Sequence, residues 1–341
     1  MKLLITGATG LVGSHLAGAA RLQGHRVIAT GMTNNSLEQQ RGRSLEGSGI
    51  PLLIGDLQDR AFARKAVEGC DAVIHLAAAQ HEAGVSDDYF HRVNVDATRV
   101  LLDACVEAGV KRFLYGSTIG VYGQGGAAPL DEQSPLQPAN IYEMTKLAAE
   151  AVVKSYAAQL ETTLIRISET YGPGDGRLLK LFKAADRGLF VLIGAGSNLR
   201  QPIHVTDLVR GLLCAVQHPA AVGQTFILAG PSAITTREMI ADVAAALGRN
   251  GTTLRIPMFP CLLAALLCEF VCKPLRISPP LHRRRLDFFR KSLGFSIAKA
   301  KALLDFEPTT PFSAGARDTV ASYRSAGWVR SPSSRSEQRA V

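Results

Sequence analysis

The stretch that decides the fold is Leu3-Leu4-Ile5-Thr6-Gly7-Ala8-Thr9-Gly10-Leu11-Val12-Gly13, in which a short apolar run leads directly into a glycine-rich turn. The apolar spacing over 12–23 predicts a helix that begins at this turn. The three glycines permit a tight turn and let the backbone approach a pyrophosphate, whose charge would lie at the positive end of that helix. The stretch therefore favours a dinucleotide site one strand in from the start of the chain.

Similar apolar runs follow along the first half of the chain and alternate with stretches of helical periodicity. They lie at 26–30, 51–54, 72–76, 112–116 and 163–167. This alternation predicts an α/β fold, a Rossmann-type doubly wound parallel sheet with helices on both faces. Ligands of such sheets bind at the carboxyl ends of the strands.

The pattern changes near residue 173, where glycines and prolines divide the sequence into shorter pieces. We predict a dinucleotide-binding Rossmann domain at 1–172 and a smaller, mixed substrate-binding portion at 173–328 that is interleaved with the core. Residues 329–341 are polar and aperiodic, and we expect them to form a disordered tail.

Composition excludes several classes of protein. The chain has 341 residues, 47% apolar and 20% charged, as is usual for a globular protein. It does not begin with a charged leader followed by an apolar segment and a cleavage site, so we expect a cytoplasmic protein. No two of its cysteines form a CxxC pair, and we expect no metal site.

The net charge of +9 resides entirely in residues 273–341, where fourteen basic residues face five acidic ones. Such an asymmetry suits either an anionic surface or ligand, or a solvated basic face. We expect no nucleic-acid partner.

A tyrosine and a lysine four residues apart mark a second candidate site. Tyr142 and Lys146 begin a predicted helix, and residues i and i+4 lie on one helix face, so both side chains can point into one cleft. Thr118 lies 24 residues before Tyr142, at the end of the fifth predicted strand. A hydroxyl at this place can donate a hydrogen bond to a substrate oxygen.

With these motifs the sequence resembles the extended short-chain dehydrogenase/reductase family, which includes nucleotide-sugar epimerases and dehydratases and the 3-beta-hydroxysteroid dehydrogenase group. The resemblance covers about residues 1–328. The motifs that carry it are TGATGLVG at 6–13, Gly55-Asp56-Leu57, His75-Leu76-Ala77-Ala78, Asn94-Val95, STIGVYG at 117–123, YEMTK at 142–146, Tyr171-Gly172-Pro173-Gly174-Asp175 and Ile203-His204-Val205-Thr206-Asp207-Leu208.

The resemblance implies catalytic roles for three residues. Tyr142 is the acid/base, Lys146 lowers its pKa and binds the cofactor ribose, and Thr118 polarises the reacting oxygen. A free tyrosine has a pKa near 10, and lowering it by ~3 units needs roughly 4 kcal/mol. A nearby ammonium and an oxidised nicotinamide can supply that stabilisation in a partly dry cleft.

The same resemblance implies a site for NAD or NADP. Asp56 and Leu57 would hold the adenine, Leu76 and Ala77 would line the groove, and Asn94 would brace the nicotinamide side. The complete implied set is Gly7, Gly10, Leu11, Val12, Gly13, Asp56, Leu57, Leu76, Ala77, Asn94, Tyr142 and Lys146. NAD-preferring members carry an acid where Gly31 stands here, and Arg41 or Arg43 could reach a 2′-phosphate, so the choice of cofactor stays open.

Two further departures bear on the substrate. Ile119 and Gly120 replace the Asp-Glu pair of the 4,6-dehydratases, which argues against elimination of water. Glu169 replaces an Asn that binds diphosphate in the sugar epimerases, and a carboxylate there is unfavourable. Arg200 matches the arginine that holds a diphosphate in sugar-nucleotide enzymes, so it is a candidate substrate-binding residue and this class stays open.

The segment 256–272 is apolar nearly all round but too short to span a bilayer. It precedes Lys273, Arg276 and Arg283-Arg284-Arg285 and, with them, resembles the C-terminal part of the hydroxysteroid-dehydrogenase-like members. A substrate-access helix at the inner membrane surface, in peripheral contact with lipid, is one interpretation. A core helix or a dimer surface with a solvated basic flank is the other.

Three hypotheses for the function follow. The leading one is an NAD(P)-dependent oxidoreductase that acts on a bulky, apolar secondary alcohol or ketone, such as a sterol- or terpenoid-like molecule. The second is a nucleotide-sugar epimerase or reductase, and the third is a non-catalytic dinucleotide sensor. The resemblance also implies a homodimer.

Overall fold

The computed structural model describes residues 1–80, 85–125, 129–188, 190–249, 253–272 and 283–330. Its strands are, in chain order, β1 Lys2–Thr6, β2 Arg26–Gly31, β3 Leu52–Ile54, β4 Ala72–His75, β5 Arg112–Thr118, β6 Glu161–Ile167, β7 Thr170–Tyr171, β8 Phe190–Ile193, β9 Leu199–Arg200, β10 Ile203–His204, β11 Thr225–Leu228, β12 Ile234–Thr235 and β13 Thr253–Ile256. The six predicted strands correspond to β1 to β6.

One sheet of seven parallel strands forms the centre of the molecule, which confirms the predicted fold class. The strand order is β11-β6-β5-β4-β1-β2-β3, and β1 lies between β2 and β4. The chain order reverses at β1, so the connections that follow β1 and β4 leave the sheet in opposite directions and open a crevice at their carboxyl ends. The predicted glycine turn follows β1 at this crevice.

Helices cover the sheet. They are α1 Leu11–Leu22, α2 Ser36–Gly47, α3 Arg60–Val67, α4 Asp87–His91, α5 Ala97–Glu107, α6 Ile141–Ser155, α7 Leu179–Asp186, α8 Val205–Gln217, α9 Thr236–Ala246, α10 Met258–Cys272, α11 Arg283–Arg290, α12 Ala298–Leu304 and α13 Phe312–Ser325. One core cluster holds Leu16 of α1 and Leu212 of α8, and a second holds Leu101 of α5 and Val153 of α6. The sheet is therefore packed on both faces.

A third core cluster lies among α7, α9 and α13, where Phe182, Met239 and Tyr323 are buried. Three pairs of short strands accompany it, β7 with β10, β9 with β12, and β8 with β13. Strand β11 belongs to the central sheet although it follows residue 173, so the two portions share a core. The division at 172 and 173 stays a prediction.

The described part of the chain extends slightly past residue 328. Val329 is buried in the third core cluster, and the Arg330 backbone N–H donates to Asp186 Oδ2 over 3.1 Å. The remainder of the predicted tail, 331–341, lies outside the described residues.

Helix α10 differs from the others because its apolar side chains face solvent. Of its 15 residues only Ala265 is buried, while Phe259 and Phe270 are 75% and 77% exposed. Leu263 and Leu267 continue the exposed apolar face between them. Within the described part of the chain, none of the helices is both long enough and apolar enough to cross a membrane.

Two glycines of α1 test how tightly this helix packs against the turn. A Cβ at Gly13 would lie 2.3 Å from Gly7 O, whereas a Cβ at Gly18 would meet nothing within 4 Å. We expect Gly13→Ala to lower the free energy of unfolding by about 2 kcal/mol through overpacking. Gly18→Ala should raise it by roughly 0.5–1 kcal/mol, because alanine favours the helix. Urea denaturation measures both, and equal effects would contradict the packing described.

Candidate active site

The turn after β1 is closed so tightly that it requires glycine. Gly7 has a φ of +65°, and a Cβ there would lie 2.8 Å from the Ala77 backbone N. Gly10 stands at the N-cap of α1, and no side chain caps this helix end. The amides that open α1 at Leu11, Val12 and Gly13 therefore point toward the crevice without a capping side chain. This backbone cradle fits the pyrophosphate of a dinucleotide.

A buried hydroxyl joins the glycine turn to the segment after β4. The Leu76 and Ala77 backbone N–H groups both donate to Thr6 Oγ1, at 3.1 Å each. Thr6 Oγ1 in turn lies 2.7 Å from His75 Nδ1. Leu76 and Ala77 are thus held beside the glycine turn, and their place in a cofactor groove stays a prediction.

His75 is held as the neutral tautomer with its proton on Nε2. Thr98 Oγ1 donates to Asn94 O over 2.7 Å, so it can only accept from His75 Nε2, 3.0 Å away. Burial, and the nearby Lys146 charge, lower the pKa of His75 to about 3. A second proton, on Nδ1, would give Thr6 Oγ1 a third donor beside the Leu76 and Ala77 N–H groups. This unfavourable contact agrees with the lowered pKa of His75.

Asn94 is buried, and its side chain hydrogen-bonds to neighbouring protein groups instead of pointing into the cleft. Its amide Nδ2 donates to Ala79 O over 3.1 Å and to Thr145 Oγ1 over 3.0 Å, and its Oδ1 accepts from the Ala79 N–H. Asn94 lies in a π-helical stretch, Arg92–Asp96, that joins α4 to α5. It therefore ties the segment after β4 to helix α6.

Capping interactions determine where α6 begins. Asn140 Oδ1 accepts from the Glu143 backbone N–H, and Glu143 Oε2 accepts from the Ala139 N–H over 2.7 Å. This reciprocal arrangement satisfies two donors at the start of the helix. It places Tyr142 in the first turn of α6, at the carboxyl end of β5.

Tyr142 and Thr118 are brought together as predicted. The Thr118 hydroxyl hydrogen-bonds to Tyr142, and Gln80 Nε2 donates to the phenol oxygen over 3.4 Å. Burial raises the pKa of Tyr142, while Thr118, the Arg177 charge and Gln80 act in the opposite direction. Gln80 and Arg177 were missed by the sequence analysis, although each lies just after one of the motifs identified there.

Lys146 is nearly completely buried on the same face of α6. Its Nζ donates to Gly116 O over 2.6 Å and lies 4.1 Å from the centre of the Tyr115 ring. Burial lowers the pKa of Lys146 to about 7, against a smaller opposing effect of Glu150. A carbonyl and an aromatic face are the contacts that a desolvated ammonium requires.

The predicted adenine side of the site follows β3. Asp56 is exposed, and its carboxylate accepts from the Gln58 N–H over 2.9 Å and from Gln58 Nε2. Leu57 is buried beneath it. Asp56 therefore faces outward at the edge of the sheet, and its role toward the adenine stays a prediction.

Position 31 has no space for an acidic side chain. A Cβ on Gly31 would lie 2.4 Å from Thr9 Oγ1, so Thr9 fills the position at which an acid would stand. Arg41 donates to Thr9 O over 3.2 Å and to Gly174 O over 2.7 Å, whereas Arg43 is exposed. Of the two arginines considered from the sequence, Arg41 therefore lies beside Thr9, already bound to backbone.

The two residues that the sequence weighed separately for diphosphate binding form a pair. Arg200 makes a bidentate salt bridge with Glu169, through Nε to Oε2 at 2.9 Å and through Nη2 to Oε1. Its Nη1 donates to Phe288 O over 2.8 Å, and the guanidinium lies 4.0 Å from the Phe288 ring centre. The structure therefore does not leave Arg200 free for a diphosphate, because Glu169 already neutralises it.

Comparison with known proteins identifies relatives of this site. A model of the NAD dependent epimerase/dehydratase family matches residues 3–229. A 3beta-hydroxysteroid-dehydrogenase/decarboxylase isoform 2 of Arabidopsis thaliana is 28% identical over 84% of this chain, which spans 55% of that protein's length. The UDP-glucose 4-epimerase of Vibrio cholerae is 26% identical over 76% of this chain and 79% of that protein.

A solved structure shares the fold along most of the chain. The UDP-glucuronic acid 4-epimerase from Bacillus cereus, crystallised with NAD, superimposes with a TM-score of 0.78 at 23% identity. The match covers 96% of this chain and 99% of that one.

The buried charge of Lys146 should lower the free energy of unfolding at pH values where the side chain is protonated. Its folded pKa of about 7 lies below the ordinary 10.5, so the unfolded chain binds more protons between these values and wild-type stability rises with pH across that window. We expect Lys146→Met to raise the free energy of unfolding by about 2 kcal/mol near pH 6, because methionine buries no charge. The loss of the hydrogen bond to Gly116 O offsets part of this gain. Near pH 10 the gain should disappear.

Urea denaturation at both pH values tests this expectation. Lys154→Met is the matched control, because Lys154 lies on the same helix with its side chain exposed. A Lys146→Met variant that is less stable than wild type at both pH values would contradict it.

Proposed function

Because this chain belongs to the NAD-dependent epimerase/dehydratase family, we propose that it transfers a hydride between a nicotinamide dinucleotide and a secondary alcohol or ketone, with Tyr142, Lys146 and Thr118 as catalytic residues. The family and the relatives are named for enzymes of the extended short-chain type, and this chain is such an enzyme. The non-catalytic sensor is therefore not retained as a hypothesis.

One observation carries the proposal: the phenol of Tyr142 hydrogen-bonds to Thr118 one helical turn from the buried ammonium of Lys146. The Tyr142 oxygen would take the alcohol proton or return it to a ketone, and Thr118 would donate to the same substrate oxygen. Lys146 would favour the phenolate by its charge. The bound nicotinamide supplies or accepts the hydride.

The glycine turn and α1 would hold the dinucleotide. The cradle formed by Gly7, Gly10 and Gly13 would bind the pyrophosphate, and Leu76 and Ala77 would line the groove toward Tyr142. The family is NAD-dependent, so NAD is the cofactor we propose. Thr9 in place of a ribose-binding acid leaves NADP as a second dinucleotide to be measured beside it.

Charge near the substrate cleft favours an apolar alcohol over a nucleotide sugar. Arg200 is only 10% exposed and is paired with Glu169, whose carboxylate is 40% exposed. A diphosphate would have to displace Glu169 and then lie beside its negative charge. Relatives such as the Vibrio cholerae epimerase still support the sugar-nucleotide alternative. Arg200, however, is not a free cation that could bind the diphosphate of such a substrate.

Helices α10 and α11 support a bulky, apolar substrate taken from an anionic membrane surface. Helix α10 packs on α11, and Lys291, just after α11, bonds to Glu143 beside Tyr142 over 3.0 Å. The C-terminal end of α11 thus lies beside the cleft, and the exposed face of the neighbouring α10 is about 22 Å long. Arg283, Arg284 and Arg285 open α11, while Lys273 and Arg276 fall in 273–282, outside the described residues. Apolar burial together with basic charge suits an interfacial helix at anionic lipid.

Tyr142→Phe should separate cofactor binding from turnover. We expect it to bind NADH with wild-type affinity but to lose at least about 100-fold in kcat, because the ring stays while the proton-transferring oxygen is removed. NADH fluorescence measures binding, and NADH production from a panel of sterols and other apolar secondary alcohols measures turnover. Activity close to wild type would exclude Tyr142 as the acid/base.

The exposed face of α10 should bind anionic vesicles. We expect the protein to sediment with phosphatidylglycerol-containing vesicles at low salt and to detach as salt rises, because surface charges are screened beyond ~8–10 Å at physiological ionic strength. Phe259→Ser with Phe270→Ser should weaken binding at every salt concentration. Replacing Arg283, Arg284 and Arg285 by Gln should remove chiefly the salt-dependent part.

Leu22→Ser is the control for vesicle binding, since Leu22 is 90% exposed on α1, away from this surface. A thermal-shift screen completes the test of the substrate class, because a ligand that binds the folded state raises its apparent stability. If the protein binds no vesicles at any salt concentration, and UDP-sugars stabilise it while sterols do not, the sugar-nucleotide alternative becomes the preferred hypothesis.

A further inference from the structure

Three successive turns of α6 contact three successive residues of β5. Tyr142 hydrogen-bonds to Thr118, Lys146 Nζ donates to Gly116 O at 2.6 Å, and Glu150 Oε1 accepts from Ser117 Oγ at 2.6 Å. The first two contacts involve the proposed catalytic residues. The third is made by Glu150, which no proposed step of the reaction uses.

Glu150 is a buried carboxylate held by a buried guanidinium. Its side chain is 1% exposed and that of Arg166, on β6, is 3% exposed. Arg166 donates through Nε to Oε1 at 3.1 Å and through Nη2 to Oε2 at 2.9 Å, and its Nη1 donates to Tyr122 OH at 2.7 Å. With Ser117 as a further donor, the carboxylate has a hydrogen-bond partner on each oxygen.

The groups around Lys146 leave Glu150 as its source of negative charge. Burial lowers the pKa of His75 on β4 to about 3 and raises the pKa of Tyr115 on β5, so both are neutral at neutral pH. Burial likewise raises the pKa of Tyr122 to about 12. Among the described groups that face Lys146, Glu150 is thus the one carboxylate that favours the ammonium, one helical turn away on the same face.

We propose that Glu150 is a positioning residue for proton transfer, whose carboxylate keeps the Lys146 ammonium charged and holds α6 against the end of β5. Arg166 holds this carboxylate in place through hydrogen bonds to both of its oxygens. The inference deepens the proposed function and rests on it, because a charged Lys146 matters only if Tyr142 exchanges protons. The charge state of Lys146, however, can be measured without any substrate.

The test is a pH titration of Lys146 in the full-length protein by NMR. The ¹³Cε shift of Lys146 is followed in lysine-labelled protein and assigned by its absence from Lys146→Met. Glu150→Gln keeps the shape and the contact to Ser117 but removes the charge, so we expect the Lys146 midpoint to fall by about one pH unit or more. Glu161→Gln, at an exposed ion pair of β6 with Arg112, should leave it unchanged.

A second variant guards against misfolding, since Glu150→Gln leaves Arg166 buried without its partner. Glu150→Gln with Arg166→Met removes both charges, a change that buried ion pairs often tolerate. It should lower the midpoint by less than the single variant, because the two removed charges act on Lys146 in opposite directions. Ser117→Ala keeps both charges and should leave the midpoint near that of wild type.

An unchanged Lys146 midpoint in both Glu150 variants would overturn the proposal. A midpoint lowered equally by Ser117→Ala would overturn it as well, because the hydrogen bond rather than the charge would then be responsible. Failure of the proposed function would appear separately, as no NADH production by the wild-type protein or as full turnover by Tyr142→Phe, and it would not change the result of the titration.

Discussion

The ammonium of Lys146 lies in a nearly dry interior, and the centre of this molecule is arranged to keep it there. Burial alone would release its proton, and the Gly116 carbonyl, the Tyr115 ring and the Glu150 carboxylate each oppose that loss. The same charge helps to keep His75 neutral. Groups that are costly to bury are concentrated in active sites rather than in ordinary cores, and Lys146 is a candidate catalytic residue for this reason.

A neutral His75 has its own structural consequence. The Thr6 hydroxyl can accept from the Leu76 and Ala77 amides only while it donates to His75 Nδ1. The chain of hydrogen bonds continues through Thr98 and the Asn94 backbone, and the Asn94 side chain reaches α6. The turn that would hold the pyrophosphate and the helix that carries Tyr142 are therefore joined by one satisfied polar network, and such networks rigidify the elements they connect.

The proposed substrate side of the cleft depends on a neutralised arginine and on exposed apolar side chains, not on a buried polar network. Glu169 neutralises Arg200, and the Phe288 ring covers the guanidinium, so Arg200 offers little free positive charge to a substrate. Helix α10 instead exposes Phe259 and Phe270 close to α11. Ordinary folding would bury such a surface, and its exposure favours an apolar partner.

Much of the fold and the positions of the candidate site residues could be predicted from the sequence alone, because those features are local. The apolar runs predicted β1 to β6, the glycines after β1 predicted the turn, and the four-residue spacing placed Tyr142 and Lys146 on one face of α6. Each depends on backbone geometry within a few residues. The sequence also singled out Arg200, Glu169 and Gly31 as departures from the family pattern.

Only the tertiary structure decided what those departures mean. Glu169 pairs with Arg200 across 31 residues of chain, Arg166 reaches Glu150 from a neighbouring strand, and Thr9 fills the space beside Gly31. The sequence did not determine whether α10 is exposed, because a continuous apolar run is compatible with a buried helix and with a surface helix. Such contacts depend on how separate strands and helices pack, which is set by the close packing of the whole interior and not by local spacing.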